Sequence, residues 1–351
     1  MTEIIKPTII AFEVTRRCVL RCRHCRASAT TREQDVLSTD QCRKILDAIA
    51  ELKKCVVVLT GGEPMMRQDI FDLTDYGKSL GLRMAIATCG ALLDDAAVER
   101  FKRAGLLSFS FSLDGPDAAS HDAFRQVPGA FETTLKAIDK ARKVDLRFQI
   151  NTTLTGVNVD HLDAIARLAV ELGASCWNPF VLVPVGRAEQ DTQLLLEPRR
   201  YEQVLETLAT MKATYPIELR VTCGPQFARV VRQKKIPGAD HVRGCLAASG
   251  FAFISYQGDV QTCGFLELQA GNLVQNGYNL VDIWHNSPLL RSIRDLSQYR
   301  DFCGRCGFLA DCRGCRARAL IANGHLLGQD PLCVLGYPTG IILPRAKEAR
   351  G

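Results

Sequence analysis

Residues 9–25 read IIAFEVTRRCVLRCRHC: an apolar run over 9–14, then three cysteines, Cys18, Cys22 and Cys25, in the spacing C-x3-C-x2-C. A short apolar run ended by basic residues reads as a buried strand whose end delivers the thiols. Three thiolates can hold three irons of a [4Fe–4S] cluster and leave the fourth without a protein ligand, open to a small molecule. The same spacing also fits one face of a helix. However, Arg16, Arg17, Arg21, Arg23 and Arg26 crowd the thiols, and a buried apolar stripe is rarely that basic.

Working outward, residues 8–184 alternate strand candidates with amphipathic stretches. The strands are expected over 9–15, 56–60, 83–88, 107–113, 147–153 and 176–183. Helices are expected over 39–52, 70–80, 94–104, 130–143 and 160–172, with Ser38-Thr39-Asp40 and Asn158 as caps. Repeated strand–helix units imply a parallel sheet with right-handed crossovers, so the fold class is α/β, open or curled into a barrel. In such sheets ligands gather at the carboxyl ends of the strands. The three cysteines follow strand one, Gly61-Gly62-Glu63-Pro64 follows strand two, and Thr88-Cys89-Gly90 follows strand three. Ser112-Leu113-Asp114-Gly115 closes strand four, so every motif falls on one rim.

The chain has 351 residues, 47% hydrophobic content and fifteen cysteines. That cysteine count in a reducing compartment reads as metal ligation rather than disulfides. No apolar stretch is long enough to span a membrane, and the first ten residues lack the layout of a secretory signal, so a cytoplasmic protein is expected. The net charge of +6 is dispersed, with no aromatic-interleaved basic tract, and nucleic acid is not expected as a partner.

A further helix is expected over 198–214. Tyr215-Pro216 and Ile236-Pro237-Gly238 then break the periodicity, placing a boundary at 215–242. From 243 to 351 short strands (251–256 and 259–263) and glycine turns carry dense cysteine, in a segment expected to bury little core and to be held by metal. Its thiols are Cys245, Cys263, Cys303, Cys306, Cys312, Cys315 and Cys333. The core spacing C-x2-C-x5-C-x2-C is too compressed for a zinc ribbon. Cys42, Cys55, Cys89, Cys176 and Cys223 read as small buried packing residues. Of these, Cys223 lies near the auxiliary segment and is the candidate for an additional ligand.

The pairing of C-x3-C-x2-C with GGEP one strand later resembles the radical S-adenosylmethionine superfamily. The resemblance implies a partial (β/α)6 TIM-like barrel over 1–214, a bridging region over 215–242 and a SPASM/twitch-like iron–sulfur domain over 243–351. It implies that Cys18, Cys22 and Cys25 hold a [4Fe–4S] cluster whose open iron chelates the methionine moiety of S-adenosylmethionine. Gly61, Gly62, Glu63 and Pro64 form the loop that holds its amino group. Ser112 and Asp114 stand where the family contacts ribose, Arg125 where it pairs the methionine carboxylate, and Asn151 at a strand end that touches the cofactor. Family topology assigns Cys303, Cys306, Cys312 and Cys333 to one auxiliary [4Fe–4S] cluster. Cys245, Cys263 and Cys315 go to a second, one ligand short, so one or two auxiliary clusters are expected.

Within that superfamily, Glu13–Cys18, His24–Ala29, Phe148–Thr153, Asn178-Pro179-Phe180 with Gly186-Arg187, and residues 312–319 are similar to the haem b synthases of the siroheme-dependent pathway. That resemblance implies iron-coproporphyrin III as substrate and a flavodoxin or ferredoxin as electron donor. It implies loss of carbon dioxide from two propionates to give vinyl groups. Arg16, Arg17, Arg187, Arg243, Arg316 and Arg318 are the candidates for pairing substrate carboxylates. His24 sits in the cluster loop, and the other histidines read as surface or core residues. The alternatives are a peptide-modifying maturase of the same superfamily and a non-catalytic iron–sulfur or zinc-binding protein.

Overall fold

The computed structural model describes residues 6–336. Its strands are β1 Ile9–Thr15, β2 Val56–Gly61, β3 Arg83–Thr88, β4 Ser108–Ser112, β5 Phe148–Leu154, β6 Cys176–Val181, β7 Glu218–Leu219, β8 Phe251–Ile254, β9 Asp259–Cys263 and β10 Leu266–Asn272. Its α-helices are α1 Thr39–Leu52, α2 Ile70–Ser79, α3 Asp95–Ala104, α4 Ala118–Arg125, α5 Ala130–Lys143, α6 Leu162–Glu171, α7 Pro198–Thr214, α8 Phe227–Gln233, α9 Leu280–Asn286, α10 Pro288–Arg294, α11 Asp301–Gly304, α12 Leu309–Cys312 and α13 Arg316–Asn323.

The first six strands are parallel neighbours in chain order and form, with their crossover helices, the partial (β/α)6 barrel. The local reasons are readable. Ser38 caps α1 and exchanges hydrogen bonds with Gln41 in a capping box. Asp94 caps α3, and Gly105, at φ 70°, ends it in a left-handed turn. Along β3, β4 and β5 the apolar side chains make one core, in which Phe101, Phe109, Phe111 and Phe148 pack ring against ring.

The sheet does not stop at the barrel. β8 lies parallel to β1, pairing Ile9 with Phe251 through Phe12 with Ile254, and β9 and β10 extend it antiparallel. The cysteine-rich segment therefore buries more core than its composition suggests: Ala252, Ile254, Val260, Leu273, Ile283, Trp284 and Leu290 join the barrel core. Without β8, β1 would be an open edge strand with unpaired backbone groups. The segment 215–242 supplies β7, which pairs with β6, and α8. The helix α4 was not expected from the sequence. It has eight residues and starts at Asp117, whose side chain accepts from the Ser120 amide at 2.8 Å.

Candidate active site and iron–sulfur centres

β1 runs directly into the loop that carries Cys18, Cys22 and Cys25. Cys18 and Cys22 are buried and Cys25 is half-buried, packed with Leu20, Ala27, Ala29 and Ala130. Three elements hold this loop. The amides of Arg21 and Arg23 donate to the carbonyls of Arg125 and Phe124 at the end of α4. Arg187 donates from Nε to the Cys22 carbonyl (2.8 Å) and from Nη1 to that of Ala29 (3.0 Å). Arg26 reaches the wholly buried Glu13 (2.8 Å) and lies over the Phe253 ring of β8. Burial, with Cys22 and Glu63 nearby, pushes the Cys18 thiol up to about 12. Such a thiol stays protonated until a metal takes the proton's place.

Gly61-Gly62 crosses the start of that loop at close range. The Gly62 amide donates to the Thr15 carbonyl and the Glu63 amide to that of Arg17. A Cβ on Gly61 would lie 2.1 Å from the Thr15 carbonyl oxygen, and one on Gly62 2.3 Å from that of Arg17. Only glycine fits at either position. Pro64, buried, opens a 3-10 turn. The Glu63 carboxylate is fully buried; it accepts from the Met65 amide (3.0 Å), the Thr88 hydroxyl (2.8 Å) and the Cys89 amide (2.7 Å). Burial raises its pKa, and those hydrogen bonds oppose the rise. Thr88 and Cys89, read from sequence as strand end and packing residue, are thus what aims Glu63.

Asp114 and Arg125 form a buried ion pair. Burial favours the neutral acid of Asp114, but Arg125 and the Thr153 amide (2.7 Å) outweigh it and hold the carboxyl below its usual range. Arg125 also donates from Nη1 to the Cys22 sulfur at 3.4 Å. The Asp114 amide donates to Nδ1 of the buried His121, which fixes that imidazole as an acceptor. Ser112, at the end of β4, lies in register with Asn151, which the structure places in the middle of β5 rather than at its end, and Asn151 with Asn178 of β6, a polar row across neighbouring strands. His24 stacks on Phe124 with ring centroids 4.5 Å apart. Burial and Arg125 hold its imidazole neutral, with the pKa pushed down to about 3.

The candidate carboxylate-binding arginines separate into struts and a free-standing group. Arg187 braces the cluster loop, and Arg16 pairs with Glu267 (2.6 Å) and Glu13 (3.5 Å). Arg17 faces Asp35 at 3.6 Å. Arg316 and Arg318 are each 1% exposed. The first donates to the carbonyls of Leu326 and Gly328, the second to Asp330 and the Cys223 carbonyl. Arg243 is exposed and, among the described residues, donates to the backbone carbonyls of Asp240 and Val242.

The auxiliary cysteines fall into two neighbourhoods. Burial raises the Cys312 thiol, with Asp330, Cys333 and Cys303 adding to it, while Cys306 closes a turn onto the Cys303 carbonyl. Burial pushes Cys263 up to about 12, with Cys315 and Cys245 as the next contributors. Asp330, fully buried, stands between the sets and accepts from Arg318, Gln226 and the Cys315 amide. Cys42 and Cys55 join the aliphatic core.

These residues fit iron–sulfur clusters. The thiols are grouped and buried or half-buried, and buried arginines lie beside Cys22 and Cys303. The buried atoms His24 Nδ1 and Arg125 Nε have no partner among the described residues. Among those residues no three His, Cys, Asp or Glu converge on an ion-sized point; a four-iron cube is larger than an ion, and its ligands stand further apart. No described helix is long and apolar enough to cross a membrane.

Comparison with known proteins agrees with this geometry. The radical SAM superfamily matches residues 12–169, and the SPASM iron–sulfur cluster-binding domain matches residues 245–315. The AdoMet-dependent heme synthase of Methanosarcina barkeri is 38% identical over 93% of this chain and 96% of that protein. The mycofactocin maturase MftC of Mycobacterium ulcerans is 30% identical over 98% and 94%. The crystal structure of Streptococcus suis SuiB bound to S-adenosylmethionine superimposes with a TM-score of 0.75, at 18% identity, over 93% of this chain and 77% of that one. The chain is a radical SAM enzyme, and it belongs to the radical SAM superfamily, in the branch that carries a SPASM iron–sulfur domain.

Proposed function

We propose that this enzyme forms haem b by removing carbon dioxide from two propionates of iron-coproporphyrin III. The observation that carries the reading is 38% identity to a heme synthase over nearly the whole of both chains, against 30% to a peptide maturase. Each turnover takes one hydrogen atom from the propionate β-carbon; the substrate then loses carbon dioxide and one electron, and a vinyl group remains. When bound, the [4Fe–4S] cluster with S-adenosylmethionine supplies the 5′-deoxyadenosyl radical that takes the hydrogen.

The chain's own residues bind and orient. Cys18, Cys22 and Cys25 hold the first cluster on a loop braced by Arg187 and α4. Glu63, aimed by Thr88 and Cys89, receives the methionine ammonium. In this reading Arg125, now paired with Asp114, takes the methionine carboxylate, and Ser112, Asp114 and Asn151 take the ribose. The auxiliary cysteines would hold one or two clusters, and such a cluster would supply an acceptor for the electron released on decarboxylation. The barrel corresponds to 1–214, the bridge to 215–242 and the auxiliary domain to 243–351, of which residues 1–5 and 337–351 lie outside the described residues. A flavodoxin or ferredoxin supplies electrons in the cytoplasm.

The test is anaerobic incubation of reconstituted enzyme with S-adenosylmethionine, a reductant and iron-coproporphyrin III, read by mass spectrometry. Product that has lost two carboxyl groups supports the reading. Cleavage of S-adenosylmethionine with the porphyrin unaltered overturns it and favours a peptide substrate, the reading that the similarity to MftC supports.

A further inference from the structure

Along β4, β5 and β6 one face of the sheet packs into the core and the other faces the inside of the barrel. Phe111, Ile150 and Trp177 lie in register on the core side. Side chains alternate along a strand, so the next residues, Ser112, Asn151 and Asn178, form a row on the inner face. One step further back on that face, Ala87 and Ser110 lie in register with Gln149. Both are small, so no bulky side chain stands under the row on β3 and β4.

Asn178 is 8% exposed, and its amide is only half satisfied. Thr222 is held from both sides, its amide donating to the Pro179 carbonyl (2.8 Å) and its carbonyl accepting from the Val181 amide (2.9 Å). The Thr222 hydroxyl donates to Asn178 Oδ1 at 2.9 Å. Asn178 Nδ2 has no partner among the described residues, and a buried donor left unmade costs stability. Asn151 repeats the pattern: Gln149 Nε2 donates to its Oδ1 at 3.0 Å. Two amides with committed oxygens thus present donors side by side, one strand spacing of about 4.8 Å apart. Such donors suit an acceptor such as a carboxylate.

The arginines that charge alone nominates are occupied: Arg16 pairs with Glu267 and Glu13, and Arg187, Arg316 and Arg318 face carbonyls and Asp330. A cation would also oppose the reaction. A propionate that becomes a vinyl group loses its negative charge, so a full positive charge beside it stabilises the starting state more than the transition state. An amide holds the carboxylate with less of that penalty.

We propose that Asn178, through Nδ2, binds the carboxylate of the propionate undergoing decarboxylation. The inference rests on the substrate reading given above. In that reading Ser112 and Asn151 take the ribose, and Asn178 is the next residue along the same row. Once the hydrogen atom has left the β-carbon, the bond between the α-carbon and the carboxyl carbon breaks. Carbon dioxide leaves, the double bond forms, and the one electron released goes to the acceptor that an auxiliary cluster would supply. Asn178 neither gives nor takes a proton.

The test compares two ligands, iron-coproporphyrin III and haem b, which no longer carries the two reacting carboxylates. Each is titrated into reconstituted enzyme and into Asn178→Ala and followed by porphyrin absorbance, with S-adenosylmethionine binding measured on the same samples. The substitution should weaken iron-coproporphyrin III by about 10-fold, as expected for one hydrogen bond to a charged group. Binding of haem b and of S-adenosylmethionine should stay unchanged. Equal weakening of both porphyrins would make the role structural, and weakened S-adenosylmethionine would assign Asn178 to the cofactor; either overturns the proposal. Should Asn178→Ala fail to fold, Thr222→Val, which removes the hydroxyl that commits the Asn178 oxygen, carries the test with the same ligands. Selective weakening of iron-coproporphyrin III then supports the proposal, and unchanged binding overturns it. A parent enzyme that neither binds nor alters iron-coproporphyrin III overturns the substrate reading and the proposal with it. Normal conversion by the parent, with porphyrin affinity unchanged in the variant, overturns the role of Asn178 alone.

Discussion

The guanidinium of Arg125 donates to the sulfur of Cys22 at 3.4 Å. These residues are 103 positions apart in the chain, and α4 is the element that brings them together. In the proposed reading Cys22 is a cluster ligand, and a cation beside its thiolate would stabilise the more reduced, more negative state. Asp114 holds the cation in place from its other side.

Breaking that pair should cost stability. Arg125→Ala leaves the buried Asp114 carboxylate without its partner and should destabilise the fold by about 3–5 kcal/mol. The double variant Arg125→Ala/Asp114→Ala should recover part of the loss, because no uncompensated charge remains. Denaturant titrations of the four proteins in one cycle measure this; a double variant no more stable than Arg125→Ala would show that the charge is not the cause.

Glu63→Gln keeps the size of the side chain and removes its charge. Hydrogen bonds to charged groups contribute about 1.5–3 kcal/mol, so binding of S-adenosylmethionine should weaken by about 10- to 100-fold. The iron content should stay unchanged, since Glu63 is not a cluster ligand in this reading. Titration calorimetry with iron analysis on the same sample checks both halves.

His121 makes the fold acid-sensitive. Burial, with Arg125 beside it, moves its imidazole from 6.5 down to about 4. Between those values the unfolded chain binds the proton and the folded chain does not, so stability falls as pH falls through that window. One proton gives a slope of at most about 1.4 kcal/mol per pH unit. His121→Gln, measured by denaturant unfolding from pH 7 to 4.5, should show a shallower dependence than the parent. Parallel curves would remove His121 as the cause.

Cys312→Ser should uncouple the two halves of the reaction. The first cluster and its loop are untouched, so cleavage of S-adenosylmethionine should continue. Without the electron acceptor, 5′-deoxyadenosine should accumulate in excess over vinyl product. Chromatography of both products reads the ratio, and a normal ratio in a folded variant that has lost this cluster would assign it a structural role alone.

Much of the site was legible because it is written in local spacing. The three thiols follow one strand, and the two glycines of 61–64 are demanded by contact with the Thr15 and Arg17 carbonyls. The partners that orient these groups were not legible. Thr88 and Cys89 fell on the rim with no orienting role assigned to them, yet they hold Glu63 because β3 lies beside β2. Arg187, Arg316 and Arg318 read as carboxylate receptors by charge; in the fold they face carbonyls and Asp330.

By itself the sequence pattern determined the parallel α/β sheet and the rim on which the motifs gather, and left open whether the sheet curls into a barrel. Alternating strand and helix periods, with chemistry-bearing residues at strand ends, depend on neighbours a few positions apart. Tertiary structure alone decided that β8 closes the edge of β1, which joins the cysteine-rich segment to the barrel core. It alone decided that the buried Arg318–Asp330 pair reaches back across the chain to the Cys223 carbonyl. Both are pairings across long stretches of chain, selected by burial of a sheet edge and of an ion pair, and no local pattern encodes them.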